Sequence, residues 1–133
     1  MTNERVQGYL KDPEYENRML AFCDVLGWRS QIGRAGSDPK KIGTLRRQIL
    51  LVKRVIGNVK GVADLRFSSF SDNIVLSGPV SDFTLAAFKV LLSDYQLVSA
   101  VHGFLTRGAV TVGDICHDNE VVFGPALNRA YEL

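Results

Sequence analysis

The run from Arg18 to Trp28, RMLAFCDVLGW, constrains the fold more than any other stretch of the chain. Leu20, Phe22, Cys23, Val25 and Leu26 make it apolar enough to be a buried strand, yet Asp24 stands inside it and Gly27 follows. An ionised carboxylate at the end of a buried strand is costly unless something pairs it, so the fold must bring a cation to Asp24. A second stretch has the same character: in Phe67 to Ser77, FSSFSDNIVLS, Asp72 heads the apolar residues Ile74 to Leu76. Two strand-end carboxylates point to one shared metal site.

The segments around these two fill in a regular order. Residues 1–17 are a polar lead-in, with a turn at Asp12-Pro13. Strand one is expected from Met19 to Val25, followed by a loop from Gly33 to Lys41 that is rich in glycine and charge. From Pro39 the period becomes helical through Ile42, Leu45, Ile49, Val52, Val55 and Ile56, with Ser37 or Asp38 as the cap. Its other face carries Lys40, Lys41, Arg46, Arg47, Lys53 and Arg54, with Lys60 just beyond, and reads as a solvated basic surface. A hairpin is expected over 63–77, ended by Gly78-Pro79. Ser81 or Asp82 then caps a second long helix, with Phe83, Ala87, Val90, Leu91, Tyr95 and Val98 as its apolar stripe and Gly103 at its close. In the strand that follows, Leu105, Val110 and Val112 are the expected half-buried members. Asn119 turns the chain into EVVFG, and Pro125 opens a terminal helix.

Strand, helix, strand, strand, helix, strand is the split βαββαβ order of a ferredoxin-like α+β fold, an antiparallel sheet with helices packed on it. In that plan strands one and three are the central pair, so Asp24 and Asp72 face each other. The chain has 133 residues, 46% of them hydrophobic, enough to bury about two-thirds of its unfolded surface as one domain. A formal net charge of +2 argues for no nucleic-acid partner by itself. The apolar runs fall short of the roughly 20 residues that span a bilayer, and no signal-like h-region precedes them, so a cytoplasmic location is expected. Cys23 and Cys116 are too few for a disulfide framework. His102 and His117 lie outside any cluster of metal-ligand spacing and read as ordinary surface residues.

Four segments, FCDVLGW, FSDNIVLS, LTRGAVTVG and VFGPALNRAYEL, resemble in this order the catalytic domain of the class III nucleotidyl cyclases. They are most similar to the pyrimidine cyclases of the bacterial Pycsar anti-phage systems. The resemblance spans residues 18–133 and implies a homodimer with active sites at the interface and two Mg²⁺ or Mn²⁺ ions per site. It places the metals on Asp24, Asp72 and the backbone carbonyl of Val25. Such an enzyme closes UTP or CTP into a 3′,5′-cyclic monophosphate, releases pyrophosphate, and signals in antiviral defence.

Around the metals, the backbone amides of Leu26, Gly27 and Trp28 are candidates to hold phosphate oxygens at a helix start, with Arg29 nearby. Phe22 lies on the Asp24 face of its strand and is a wall for the base or a core residue. Arg107 is a phosphate contact or a salt bridge. Purine cyclases carry an asparagine and, four residues later, an arginine on the terminal helix; here Asn128 is followed by Glu132, and Arg129 is the available substitute. The resemblance also leads to an expectation that family members continue past Leu133 with at least one more strand. Glu132 and this ending favour an alternative, a degenerate cyclase-homology domain that dimerises or senses without turnover. A ferredoxin-like RNA binder is the other alternative, with Phe67 and Phe70 as its only nearby aromatics.

Overall fold

The computed structural model of the chain describes residues 12–59 and 62–133. Lys60 and most of the polar lead-in lie outside these residues. In chain order the elements are β1 (Glu16–Val25), α1 (Trp28–Ala35), α2 (Pro39–Ile56) with a 3-10 turn (Gly57–Val59), β2 (Arg66–Phe70), β3 (Asn73–Gly78), α3 (Asp82–Val101), β4 (Thr106–His117), β5 (Val122–Phe123) and α4 (Pro125–Glu132). The strands form one antiparallel sheet in the order β2-β3-β1-β4-β5. The α+β class, the ferredoxin-like order and the central β1–β3 pair are as the sequence led us to expect.

Alternation along β1 separates two cores. Met19, Ala21 and Cys23 face α2 and α3, where they meet Val52, Ile56, Phe88 and Tyr95. Leu20 and Phe22 face the opposite side, where Val75, Ile115 and Ala130 of α4 close over them. A third cluster, Val25, Trp28 and Phe104, seals the end of β1. Both long helices are capped as their sequences indicate: Asp38 accepts from the Lys40 amide at 3.0 Å, and Ser81 from the Thr84 amide at 3.2 Å.

Several local expectations need correction. β1 begins at Glu16, inside the supposed lead-in, because β4 extends far enough to pair with Glu16 and Asn17. The loop from Gly33 to Lys41 shrinks to Gly36–Asp38, since α1 runs through Ala35 and α2 starts at Pro39. On α3 the buried residues are Thr84, Phe88, Tyr95 and Ser99, while Phe83 and Val90 face outward. The helix is apolar nearly all round, so its apolar residues do not single out a buried face, and hydrogen bonding lets polar groups go inside. Ser99 accepts from the buried Gln48 amide at 2.8 Å. Val110 and Val112 of β4 are exposed, because α4 covers the opposite face of that strand through Thr111 and Ile115; Leu105, just before the strand, is exposed as well.

β1 and β4 approach closely at Gly108. A Cβ there would press on the Phe22 carbonyl and lie 2.6 Å from Cys23 Sγ. Gly108→Ala therefore forces the two strands apart beside Asp24, and we expect a loss on the order of 3 kcal/mol in denaturant unfolding. A variant as stable as the parent would show that this approach is dispensable.

Candidate active site

The β1 exit and the β2–β3 hairpin meet at one end of the sheet. Asp72 stands in the hairpin, and its Oδ2 accepts the Val25 amide at 3.1 Å, so the second carboxylate is fastened to the residue next to the first. Asp24 is mostly buried and accepts from Arg107 Nε at 3.1 Å. This guanidinium is the cation that the buried strand end demands. The ion pair answers the salt-bridge alternative for Arg107, whose own side chain is largely exposed.

A second clasp holds the hairpin to the helix that follows β1. Gly27 takes a left-handed backbone (φ 68°) and caps α1 without any side-chain acceptor. Trp28 is buried against Phe104, and its indole Nε1 donates to Ser71 Oγ at 3.1 Å. The bare start of α1 is thereby held beside the two aspartates, with the Trp28 and Arg29 amides in its first turn. The Leu26 amide is a correction to the expected phosphate set: it donates to the Leu105 carbonyl at 2.8 Å and is already engaged.

The donor set suits hard divalent cations. Asp24 and Asp72 each keep an oxygen beyond the hydrogen bonds named, and carboxylate oxygens are the ligands Mg²⁺ and Mn²⁺ take. No group of three or more His, Cys, Asp or Glu side chains converges among the described residues, so substrate oxygens and water must complete any coordination shell. Cys23 is no competitor: burial, with the neighbouring Asp24 adding to it, pushes its thiol up to about 11.

On the face opposite α2 and α3 lies a cleft of about 420 Å³, which Phe22, two residues before Asp24, and Asn73, next to Asp72 in sequence, help to line. Phe22, Val75, Leu127 and Tyr131 supply its apolar wall, and Ser68, Asn73 and Glu120 its polar one. The Phe22 and Tyr131 rings meet at 5.2 Å, tilted by 49°. Phe22 thus packs in the core and also lines the cleft. Asn128 is exposed on α4, and Arg129 donates to the Val112 carbonyl of β4; neither lines this cleft.

Sequence reasoning missed the polar network behind the cleft. His117, expected on the surface, is 2% exposed and hydrogen-bonds to Ser77 Oγ at 2.7 Å and Ser68 Oγ at 2.8 Å. Arg18, also 2% exposed, donates to Ser77 and to Asp64. Arg66 donates to Glu16 and to the His117 carbonyl. The available signal was parity: Arg18 shares a strand face with Leu20 and Phe22.

Burial, with Arg18 and Arg66 repelling a proton and Asp118 only partly offsetting them, brings His117 down to about 4. The unfolded chain therefore binds a proton near pH 6.5 that the folded one refuses until about pH 4. Stability is complete above 6.5 and falls across that window, by roughly 2 kcal/mol. Denaturant melts between pH 7 and 4 check this. A His117→Gln variant, having no imidazole to titrate, should flatten the slope in that range.

The fold itself has a known counterpart. The crystal structure of the guanylyl cyclase Cya2 matches with a TM-score of 0.61 over 92% of this chain and 71% of that one, at 14% sequence identity. The likeness is one of fold. The α+β sheet with its packed helices is similar to a nucleotidyl cyclase domain. No protein-family model matches the chain, and no curated protein does. Among the described residues no helix is long and apolar enough to cross a membrane.

Proposed function

We propose that this domain is a nucleotidyl cyclase that converts a pyrimidine nucleoside triphosphate, UTP or CTP, to its 3′,5′-cyclic monophosphate and pyrophosphate. The observation that carries the reading is the hydrogen bond from the Val25 amide to Asp72, which fastens the second carboxylate to the residue that follows the first, while Phe22 and Asn73, close in sequence to the two aspartates, line a cleft of about 420 Å³. The cyclase-like fold adds support. The pyrimidine base and the role in antiviral signalling rest on the sequence resemblance alone.

The reaction needs the 3′-hydroxyl to lose a proton and attack the α-phosphorus while pyrophosphate leaves in line. Asp24 and Asp72, with the Val25 carbonyl, would hold two divalent ions. Mg²⁺ or Mn²⁺ bound there supplies Lewis acidity that favours the deprotonated hydroxyl and offsets the triphosphate charge. The first-turn amides of α1 take phosphate oxygens, and Arg107 is free to turn from Asp24 toward phosphate once cations are present. Phe22 and Tyr131 enclose the base. Asn128 and Arg129 do not line this cleft; in a homodimer they would serve the site of the second copy, where ribose and the transferring phosphate need donors.

Incubation with Mn²⁺ and each of ATP, GTP, CTP and UTP, followed by chromatography for cyclic nucleotide and pyrophosphate, tests the reaction and its base. Product from UTP or CTP is expected. A folded protein that turns over none of the four returns the domain to the second reading, a non-catalytic dimerisation or sensing module. Glu132 in place of an arginine, and Arg129 bound to the β4 backbone, are the observations that favour that reading.

A further inference from the structure

The buried network ends in the cleft, and its hydrogen bonds have a direction. Arg18 has donors only, so its Nε must donate to Ser77 Oγ, at 3.0 Å. Ser77 is 0% exposed, and the other group bonded to its hydroxyl is His117 Nδ1, at 2.7 Å. The Ser77 hydrogen cannot go back to a guanidinium, so it goes to Nδ1, which must carry no proton. Protonating Nδ1 instead would strand a buried hydroxyl hydrogen, at a cost of about 1–3 kcal/mol.

His117 is neutral at pH 7, held so by burial and by Arg18 and Arg66. A neutral imidazole with a bare Nδ1 carries its proton on Nε2. That proton points at Ser68 Oγ, 2.8 Å away. Ser68 accepts it, and its own hydroxyl hydrogen is left to the cleft that Ser68 lines. An unconstrained serine can donate or accept. This one has its hydrogen directed to the cleft by a chain that starts at Arg18, three hydrogen bonds away.

We propose that Ser68 is a specificity-determining residue: a fixed hydrogen-bond donor that selects a base presenting a carbonyl oxygen over one presenting an amino group. The inference rests on the cleft being the base site of the proposed cyclase. Uracil offers O4 beside N3–H, whereas cytosine offers an amino group beside a bare N3. Glu120, an acceptor when ionised, lines the same cleft and complements the N3–H. Asn73 can present either end of its amide and so does not discriminate. Guanine shares the oxo edge of uracil, and adenine shares the amino edge of cytosine, so the preference is for oxo bases, with uracil the pyrimidine that satisfies it.

Two measurements on the full chain test this. Long-range ¹H–¹⁵N correlation of the histidine rings at pH 7 reports the tautomer; His117 protonated at Nε2 is expected, and a proton on Nδ1 overturns the relay. Equilibrium binding of the α,β-methylene analogues of UTP, CTP, GTP and ATP, which cannot release pyrophosphate, reports the choice of base. The oxo member of each pair should bind at least about tenfold tighter. Ser68→Ala should remove most of that ratio and Ser68→Thr, which keeps the hydroxyl, should retain it. Binding with no oxo preference, or a preference untouched in Ser68→Ala, overturns the proposal and leaves the nucleotide reading standing. Binding of none of the four overturns both.

Discussion

Asp72→Asn is expected to abolish cyclisation, by on the order of a thousandfold or more, while the protein stays folded. The amide oxygen of asparagine can still accept the Val25 amide, so the clasp between hairpin and β1 survives. What the substitution removes is the charge. On the proposed mechanism, the site would lose half of its own anionic ligand set with that one change. Asp72→Ala should be as inactive and less stable, since it also leaves the Val25 amide without its acceptor. Cyclic nucleotide production at saturating Mn²⁺, read beside a circular dichroism melt, separates the two effects. If Asp72→Asn keeps more than a tenth of the parent activity, Asp72 is not a metal ligand.

Arg18→Met should be the most destabilising single change behind the cleft, by about 3–5 kcal/mol. The guanidinium is 2% exposed, and it donates to Ser77 Oγ, to Asp64 Oδ2 at 2.9 Å and to the Asp64 carbonyl at 2.7 Å. Methionine fills much of the volume and replaces none of those donors, so Ser77 and the Asp64 carbonyl lose their partners. Asp64 also loses the Arg18 hydrogen bond, the strongest of the interactions that hold its carboxyl below the usual range, and keeps only those with Arg66. Arg18→Lys should recover only part of the loss, because one ammonium cannot reproduce the fork that reaches Ser77 and Asp64 together. Both effects are read from the midpoint and slope of urea unfolding. A loss under 1 kcal/mol for Arg18→Met would mean that the network adds little to stability.

The architecture was legible because element type follows hydrophobic period and end residues, and both are local. Asp38, Ser81, Gly103 and Pro125 mark helix ends where the structure has them. The β2–β3 hairpin and the meeting of its turn with the end of β1 followed from strand order alone. Faces were harder. On α3 apolar residues spread over much of the circumference, so choosing Phe88 and Thr84 over Phe83 and Val90 as the buried face required knowing where the sheet lies. On β4 the alternation was visible, but which face α4 would cover was not. The relay from Arg18 to Ser68 was the least legible, because its members come from four strands and join only through register. A histidine between Cys116 and Asp118, in no pattern of metal-ligand spacing, gives no sign that two serines will enclose it.

The short β5 leaves its mark on how this domain meets its surroundings. β5 pairs with β4 only at Cys116 and His117, so among the described residues no strand borders the outer edge of β4 from Thr106 to Ile115. Such an edge is a ready template for a foreign strand. The chain blunts it with Arg107 and Asp114 at intervals along its length and with the Arg129 guanidinium on the Val112 carbonyl. Solubility at high concentration therefore hangs on a few charges beside this ribbon: losing Arg129 would expose a sticky rail as well as remove a candidate donor.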